Sequence, residues 1–249
     1  MDLCDYRQIQ ALLAETDGFH FSRAKGQNFL TARWVPERIA EACHLTRTDG
    51  AVEIGPGVGC MTEQLALRAG KVLAFEVDEK LKPVLARTLA PYDNIEVVFG
   101  DVMRRDLRAE IHESLPGLRP VLCANLPYSI TTPVLTKIYE SRCFDEAVVM
   151  VQLEVALRMC AGAGERDYGA FSLLTQWYAE PELLFNVGPE CFVPHPKVAF
   201  VFLMASCLSE NFAMTGEFIS ASSQPCSKES HSMCRHVAVC SFVKYSSTP

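Results

Sequence analysis

Ala51-Val52-Glu53-Ile54-Gly55-Pro56-Gly57-Val58-Gly59 is the stretch on which the fold turns. Residues 51–54 read as a short buried strand, and a Gly-x-Gly-x-Gly turn follows at once. Past the turn, Met61, Leu65 and Leu67 lay down an approximate helical stripe up to Gly70. Glycines 55, 57 and 59 let the backbone approach a ligand closely and leave helix N–H groups at one end of the site. Taken alone, the pattern suits a plain tight turn as well as a cofactor loop.

Outward from this unit the same alternation repeats. A helix opens at Pro36, with Glu37 in its first turn. Strands are predicted at residues 71–75, 95–99, 121–124 and 147–151, and Thr132-Pro133 opens the helix after the fourth strand. A helix over 168–178 follows. Strands at 183–187 and 198–203 then close the chain as a hairpin, joined by the Pro-rich 192–197. Strand-like runs alternating with helix-like ones from about Val35 to Phe185 predict an α/β, Rossmann-like domain: a seven-stranded, mostly parallel sheet with helices on both faces.

Hydrophobic residues make up 49% of the 249 and charged residues 21%, proportions of a globular chain rather than a disordered one. Residues 1–7 show no basic region ahead of an apolar stretch, so no secretory signal is expected. The longest apolar run, 198–205, falls well short of the ~20 residues a membrane helix needs. A soluble, cytoplasmic monomer with no membrane partner is the expectation. Eleven cysteines, odd in number and without a Cys-x-x-Cys pair, read as reduced thiols. The net charge of −7 argues against a broad basic face for nucleic acid.

From Ser206 onward the character changes. Residues 206–249 include 11 Ser and four Cys, balance three basic against three acidic residues, and keep no period. They read as loop or disorder, which divides the chain into a 1–205 domain and a 206–249 tail. Cys226, His231, Cys234, His236 and Cys240 match no established zinc spacing, and no metal is expected.

In an open α/β sheet the ligand lies outside the carboxyl ends of the strands. Glu76 ends the second strand 21 positions after Gly55, where a carboxylate can accept from both hydroxyls of an unphosphorylated ribose. That suits a NAD oxidoreductase as well as a methyltransferase. Gly100-Asp101 puts a second acid at the third strand end. The fourth strand end separates the two cofactors. The adenine amino nitrogen is a poor nucleophile because its lone pair is delocalised into the ring. An Asn oxygen and a main-chain carbonyl held by Pro can accept its two N–H groups and aim that lone pair at a methyl sulfonium, while an aromatic ring stacks on the base. Asn125-Leu126-Pro127-Tyr128 contains all three parts. Standing alone, the tetrapeptide would read as an Asn-Pro-type turn with a packed Tyr.

With Lys25-Gly26-Gln27-Asn28-Phe29-Leu30, the run 52–59, Glu76-Val77-Asp78, Gly100-Asp101, Asn125 to Tyr128 and Phe192-Val193-Pro194-His195-Pro196-Lys197-Val198 in this order, the chain resembles the rRNA adenine N6-dimethyltransferases over about residues 20–200. That family modifies two adjacent adenines near the 3′ end of small-subunit rRNA and is related to the macrolide-resistance methyltransferases. The resemblance implies S-adenosyl-L-methionine as cofactor, and the small-subunit rRNA or its precursor particle as partner. Gln27, Asn28 and Leu30 would line the cofactor pocket, with Gly55 and Gly57 approaching the cofactor and Gly55 lying at its amino-acid end. Glu76 would hold the ribose and Asp101 would accept from the cofactor's adenine. Asn125, Leu126, Pro127 and Tyr128 would form the catalytic turn, Asn125 beside the reacting methyl. Tyr128 would stack on the target base and Phe192 would complete the clamp. No metal and no general base are implied.

The chain departs from the family where His195 replaces a usual Pro and Ala199-Phe200 a usual Asp-Ser, which would alter the RNA-side rim. Members also continue into a small helical domain, whereas 206–249 shows no such helices. A non-catalytic rRNA-binding assembly factor on the same fold is the alternative, and the intact Asn125 to Tyr128 turn weighs against it.

Overall fold

A computed structural model describes residues 1–15, 28–126 and 130–207 of the chain. Helix α1 (Tyr6–Ala14) comes first, then a two-residue strand β1 (Phe29–Leu30) and helix α2 (Trp34–Ala42). The alternation follows: β2 (Asp49–Ile54), α3 (Cys60–Ala66), β3 (Lys71–Glu76), α4 (Lys82–Thr88), β4 (Ile95–Phe99), α5 (Leu107–Ser114), β5 (Arg119–Asn125), α6 (Thr131–Ser141) and β6 (Glu146–Gln152). Helices α7 (Leu153–Cys160) and α8 (Ala170–Tyr178) lead to β7 (Ala179–Val187), β8 (Phe192–Val193) and β9 (Phe200–Cys207).

Seven strands form one sheet in the order β4-β3-β2-β5-β6-β9-β7, parallel from β4 to β6, with β9 antiparallel to both neighbours. Strand order reverses between β2 and β5, so the crevice for a ligand opens beyond Ile54 and Asn125. Period-2 alternation splits the central strands between two layers. Val52, Ile54, Leu122 and Ala124 face the layer that holds Ile111 of α5 and Leu135 of α6; Ala51, Val121 and Cys123 face the layer of Ile39 (α2) and Leu65 (α3). Each large aliphatic side chain fully buried there contributes ~1.5–3 kcal/mol.

The doubly wound sheet expected from sequence is present, with local differences. Pro36 falls at the third helical position rather than the first, and Pro133 lies in the first turn as expected, with the cap at Ile130 rather than Thr132; a first-turn N–H lacks an intrahelical partner, so its absence costs nothing. Strand β7 begins four residues earlier than expected and runs through Pro181, which an edge strand tolerates. Strand β9 starts at Phe200, two residues later than expected, and continues to Cys207. Helix α1, unmarked in the sequence reading, is capped by Asp5, whose carboxylate accepts from the Gln8 N–H at 2.9 Å. Its Ile9, Leu12 and Leu13 pack with Val84 and Leu85 of α4. Strand β1 pairs antiparallel with β8, Phe29 opposite Val193 and Leu30 opposite Phe192, which joins two motifs separated by most of the chain.

Candidate active site

Four strand ends converge at the switch point. Gly55 and Gly57, in the turn after β2, take φ of +77° and +61°, values that L side chains rarely adopt. A Cβ on Gly57 would also stand 3.0 Å from Cε1 of Phe29, so the β1 aromatic lies directly on the turn. A Cβ on Gly55 would stand 4.0 Å from the main-chain oxygen of Asn125, which brings the first turn and the end of β5 together across the crevice.

Glu76 ties these turns to one another. Its Oε2 accepts from the Gly57 N–H at 3.2 Å and its Oε1 from the Asp78 N–H at 2.8 Å, while its main-chain oxygen accepts from the Gly100 N–H at 2.8 Å. At 4% exposure, burial pushes the carboxyl above the ordinary range, and the N–H donors oppose that rise. A carboxylate offers about four lone-pair sites. The two N–H groups leave room for two hydroxyl donors, which suits a ribose diol.

Asp101 stands at the end of the next turn, where its Oδ1 accepts from the Met103 N–H at 2.9 Å and Arg104 lies 3.6 Å from Oδ2. Asn125 is the last residue of β5, half-buried and in register with Met150 of β6. Leu126, almost fully buried, extends the ladder by donating its N–H to the Met150 oxygen at 3.2 Å. Asn125 is therefore held against β6 by fixed backbone. Gln27, Pro127 and Tyr128 lie outside the described residues, as do Arg23 and Lys25 and the cysteines and histidines of the 208–249 segment.

Two residues given site roles in the sequence are buried. Phe192, read as the second face of a base clamp, is 1% exposed and packs on Phe200 with ring centroids 5.2 Å apart. Its partner Leu30, read as pocket lining, is likewise buried in the α2/α3 layer. Pairing of β1 with β8 turns both inward, and Phe200 fills the space below Phe192. Asn28, half-buried, remains beside the turn-covering Phe29. Of the two arginines that follow Asp101 and Met103, Arg105 is engaged with Glu110 at 2.6 Å, whereas Arg104 is 88% exposed.

The sequence reading assigned no role to Glu53. It is 1% exposed directly behind the glycine turn with its Oε2 buried and unpartnered, and burial pushes its carboxyl up to about 8, the neighbouring Thr62 hydroxyl opposing that rise and the Glu76 charge adding to it. An acid inside the otherwise apolar run 51–54 was the available signal. Among the described residues no cluster of His, Cys, Asp and Glu could hold a metal ion, and no helix is long and apolar enough to cross a membrane.

A parallel sheet reversing at β2/β5, a glycine turn at the reversal and an acid closing β3 define a Rossmann-like domain, and the matches that follow make it a methyltransferase domain. Residues 18–204 match the family described as ribosomal RNA adenine dimethylase, and the chain belongs to that family. It is 46% identical over 188 residues to the ribosomal RNA small subunit methyltransferase A of Ligilactobacillus salivarius, covering 75% of this chain and 64% of that protein. The chain thus spans less than two thirds of that relative's length. Among solved structures it is similar to the 23S rRNA methyltransferase ErmE (30% identity, TM-score 0.62, 73% of this chain and 70% of that one) and to a dimethyladenosine transferase from Plasmodium falciparum (27%, 0.66, 75% and 66%).

Proposed function

We propose that this chain transfers methyl groups from S-adenosyl-L-methionine to the N6 amino group of adenine in rRNA, dimethylating two adjacent adenines near the 3′ end of small-subunit rRNA. The observation that carries this reading is the position of Asn125: at the switch point, anchored by the β5–β6 ladder, with its main-chain oxygen facing Gly55. When bound, the cofactor supplies a methyl carbon made electrophilic by its sulfonium. Glu76 holds the ribose diol with its remaining lone pairs, and Gly55 and Gly57 keep the turn close enough for backbone contact. Asp101, its Oδ1 engaged with the Met103 N–H, retains lone pairs that can accept from an adenine amino group. The Asn125 side-chain oxygen and a main-chain oxygen of the 125–128 turn accept the two amino hydrogens of the target base and aim its lone pair. Tyr128 stacks on the extruded base. The proton lost after transfer passes to water, so no general base is required. The reaction takes place in the cytoplasm, on the small-subunit rRNA or its precursor particle.

The test is mass spectrometry of rRNA nucleosides after incubation of small-subunit precursor particles with the full chain and methyl-labelled cofactor. Label in N6,N6-dimethyladenosine at adjacent 3′ positions is the expected result. Label only in large-subunit rRNA would move the substrate, and no label with rRNA binding retained would favour an assembly factor.

A further inference from the structure

Lys137 of α6 reaches across to the loop after β4 and places its ammonium on main-chain oxygens. Its Nζ donates to the Arg105 oxygen at 2.7 Å and to the Met103 oxygen at 3.2 Å. The platform beneath it is fixed, since Val134, Leu135 and Ile138 of α6 are buried in the same layer as Val102 and Leu107.

The loop that Lys137 grips carries Asp101, and it is held at both ends. At its start the Gly100 N–H donates to the main-chain oxygen of Glu76, the residue that closes β3, at 2.8 Å. At its far end the Arg105 side chain donates to Glu110 while the Arg105 oxygen accepts from Lys137. Between these anchors Val102–Arg104 make a single 3-10 turn capped by Asp101, whose Oδ1 accepts from the Met103 N–H at 2.9 Å. Met103 is thus gripped from two sides, its N–H by Asp101 and its carbonyl by Lys137.

We propose that Lys137 is a positioning residue for the cofactor's adenine: its two hydrogen bonds fix the turn, the turn fixes the Asp101 carboxylate, and the carboxylate selects a 6-amino purine over a 6-oxo purine. This role rests on the reading that S-adenosyl-L-methionine binds with its adenine at Asp101. The Asp101 side chain is 45% exposed, so its direction is set by the turn more than by packing. A carboxylate accepts and does not donate. A 6-amino group offers it an N–H, whereas a 6-oxo group turns a second acceptor toward it. Hydrogen bonds from an ammonium are roughly twice as strong as neutral ones. Without the ammonium, two carbonyls lose their donor and the turn loses its tie to α6. Arg108 provides a contrast: its guanidinium donates to the Ser141 oxygen at 2.8 Å, which joins α5 to the last residue of α6 and leaves the Asp101 turn out.

Calorimetry on the full chain with S-adenosylhomocysteine and its 6-oxo counterpart, S-inosylhomocysteine, tests this. The unaltered chain should bind the adenosyl form more tightly by about tenfold or more, the value of a hydrogen bond to a charged group. In Lys137→Met the adenosyl Kd should rise until that ratio is about threefold or less, with the inosyl Kd unchanged. Arg108→Ala should keep the full ratio. Where Lys137→Met does not fold, Lys137→Gln takes its place and should lower the ratio at least about twofold. Failure of the unaltered chain to bind S-adenosylhomocysteine would remove the cofactor reading itself, and this role with it. With that binding present, the role is overturned if the unaltered chain binds both forms alike, if the ratio survives loss of the ammonium, if both Kd values rise equally, or if Arg108→Ala lowers the ratio as far.

Discussion

The two sides of the crevice are built differently. On the side proposed to hold the cofactor, Gly55, Gly57, Gly100 and Glu76 are locked by main-chain hydrogen bonds and positive φ, so the shape is set by backbone and one carboxylate. On the side proposed to receive the target base, Asn125 ends a strand, Phe29 lies over the turn, and Phe192 is buried in the core. The difference teaches that a residue's place in a motif does not reveal whether it works by contact with a ligand or by supporting the wall. Phe192 is the sharpest case. Phe192→Ala should destabilise the chain by about 3–5 kcal/mol, the range for an aromatic deleted from a packed core, as read from urea unfolding. If stability holds while methyl transfer falls, the ring leaves the core to meet the base and the contrast between the two sides breaks.

Asn125→Ala should strike the opposite property. Methyl transfer should fall by about 10²–10³-fold, the usual loss when one preorganised hydrogen-bond partner of a reacting group is removed. Cofactor affinity, measured by calorimetry, should stay nearly intact. An equal loss of both would show that Asn125 serves the donor and not the acceptor.

How far the sequence went follows the same line. The glycine turn, Glu76, Asp101 and Asn125 were legible because strand ends and turn residues are local, and a doubly wound sheet dictates which ends face the crevice. The β1–β8 pair was hidden: two residues on each side carry no period, and they meet only after the whole sheet has formed. The burial of Phe192 and Leu30 follows from that pairing, and Phe200, where the resembled family has a Ser, packs on the Phe192 ring. Helix α1 was missed although Asp5 ahead of Ile9, Leu12 and Leu13 is a regular capped, amphipathic start. Strand β7 was cut short because Pro181 reads as a breaker until its edge position is known.

Glu53 stands behind the glycine turn, close to Thr62 and Glu76. Its carboxyl titrates near 8 in the folded chain, against about 4.3 when unfolded. A raised folded value means that its neutral form favours the native state: this contribution is complete below the unfolded value and is lost as pH climbs toward about 8. Glu53→Gln should flatten the loss of stability between about pH 5 and pH 8, a change on the order of a few kcal/mol for a fully buried acid. Unfolding free energies with the same pH slope in both chains would show that Glu53 is charged and partnered.

Glu76→Ala should weaken cofactor binding by about 1–3 kcal/mol, since it strands the ribose hydroxyls and the Gly57 N–H at once. Its effect on rRNA affinity should be negligible. If calorimetry gives an unchanged cofactor Kd, the ribose is held elsewhere and the backbone side of the crevice does not contain the cofactor site.

The smallest expected effect separates two neighbouring arginines. Arg104 is 88% exposed and only loosely near Asp101, while Arg105 donates to Glu110 at 2.6 Å and helps close the loop whose Met103 and Arg105 oxygens accept from Lys137. A phosphate contact releases counterions and so contributes to the salt slope of binding, about 0.7 per phosphate on a single strand. Arg104→Ala should therefore weaken rRNA binding modestly at low salt and flatten the slope of log affinity against log salt by roughly that amount. Arg105→Ala should leave the slope alone and cost only the ~0–1 kcal/mol typical of a surface ion pair in stability. A flatter slope for Arg105→Ala instead would mean that RNA pulls Arg105 away from Glu110 and that the loop after β4 rearranges on binding.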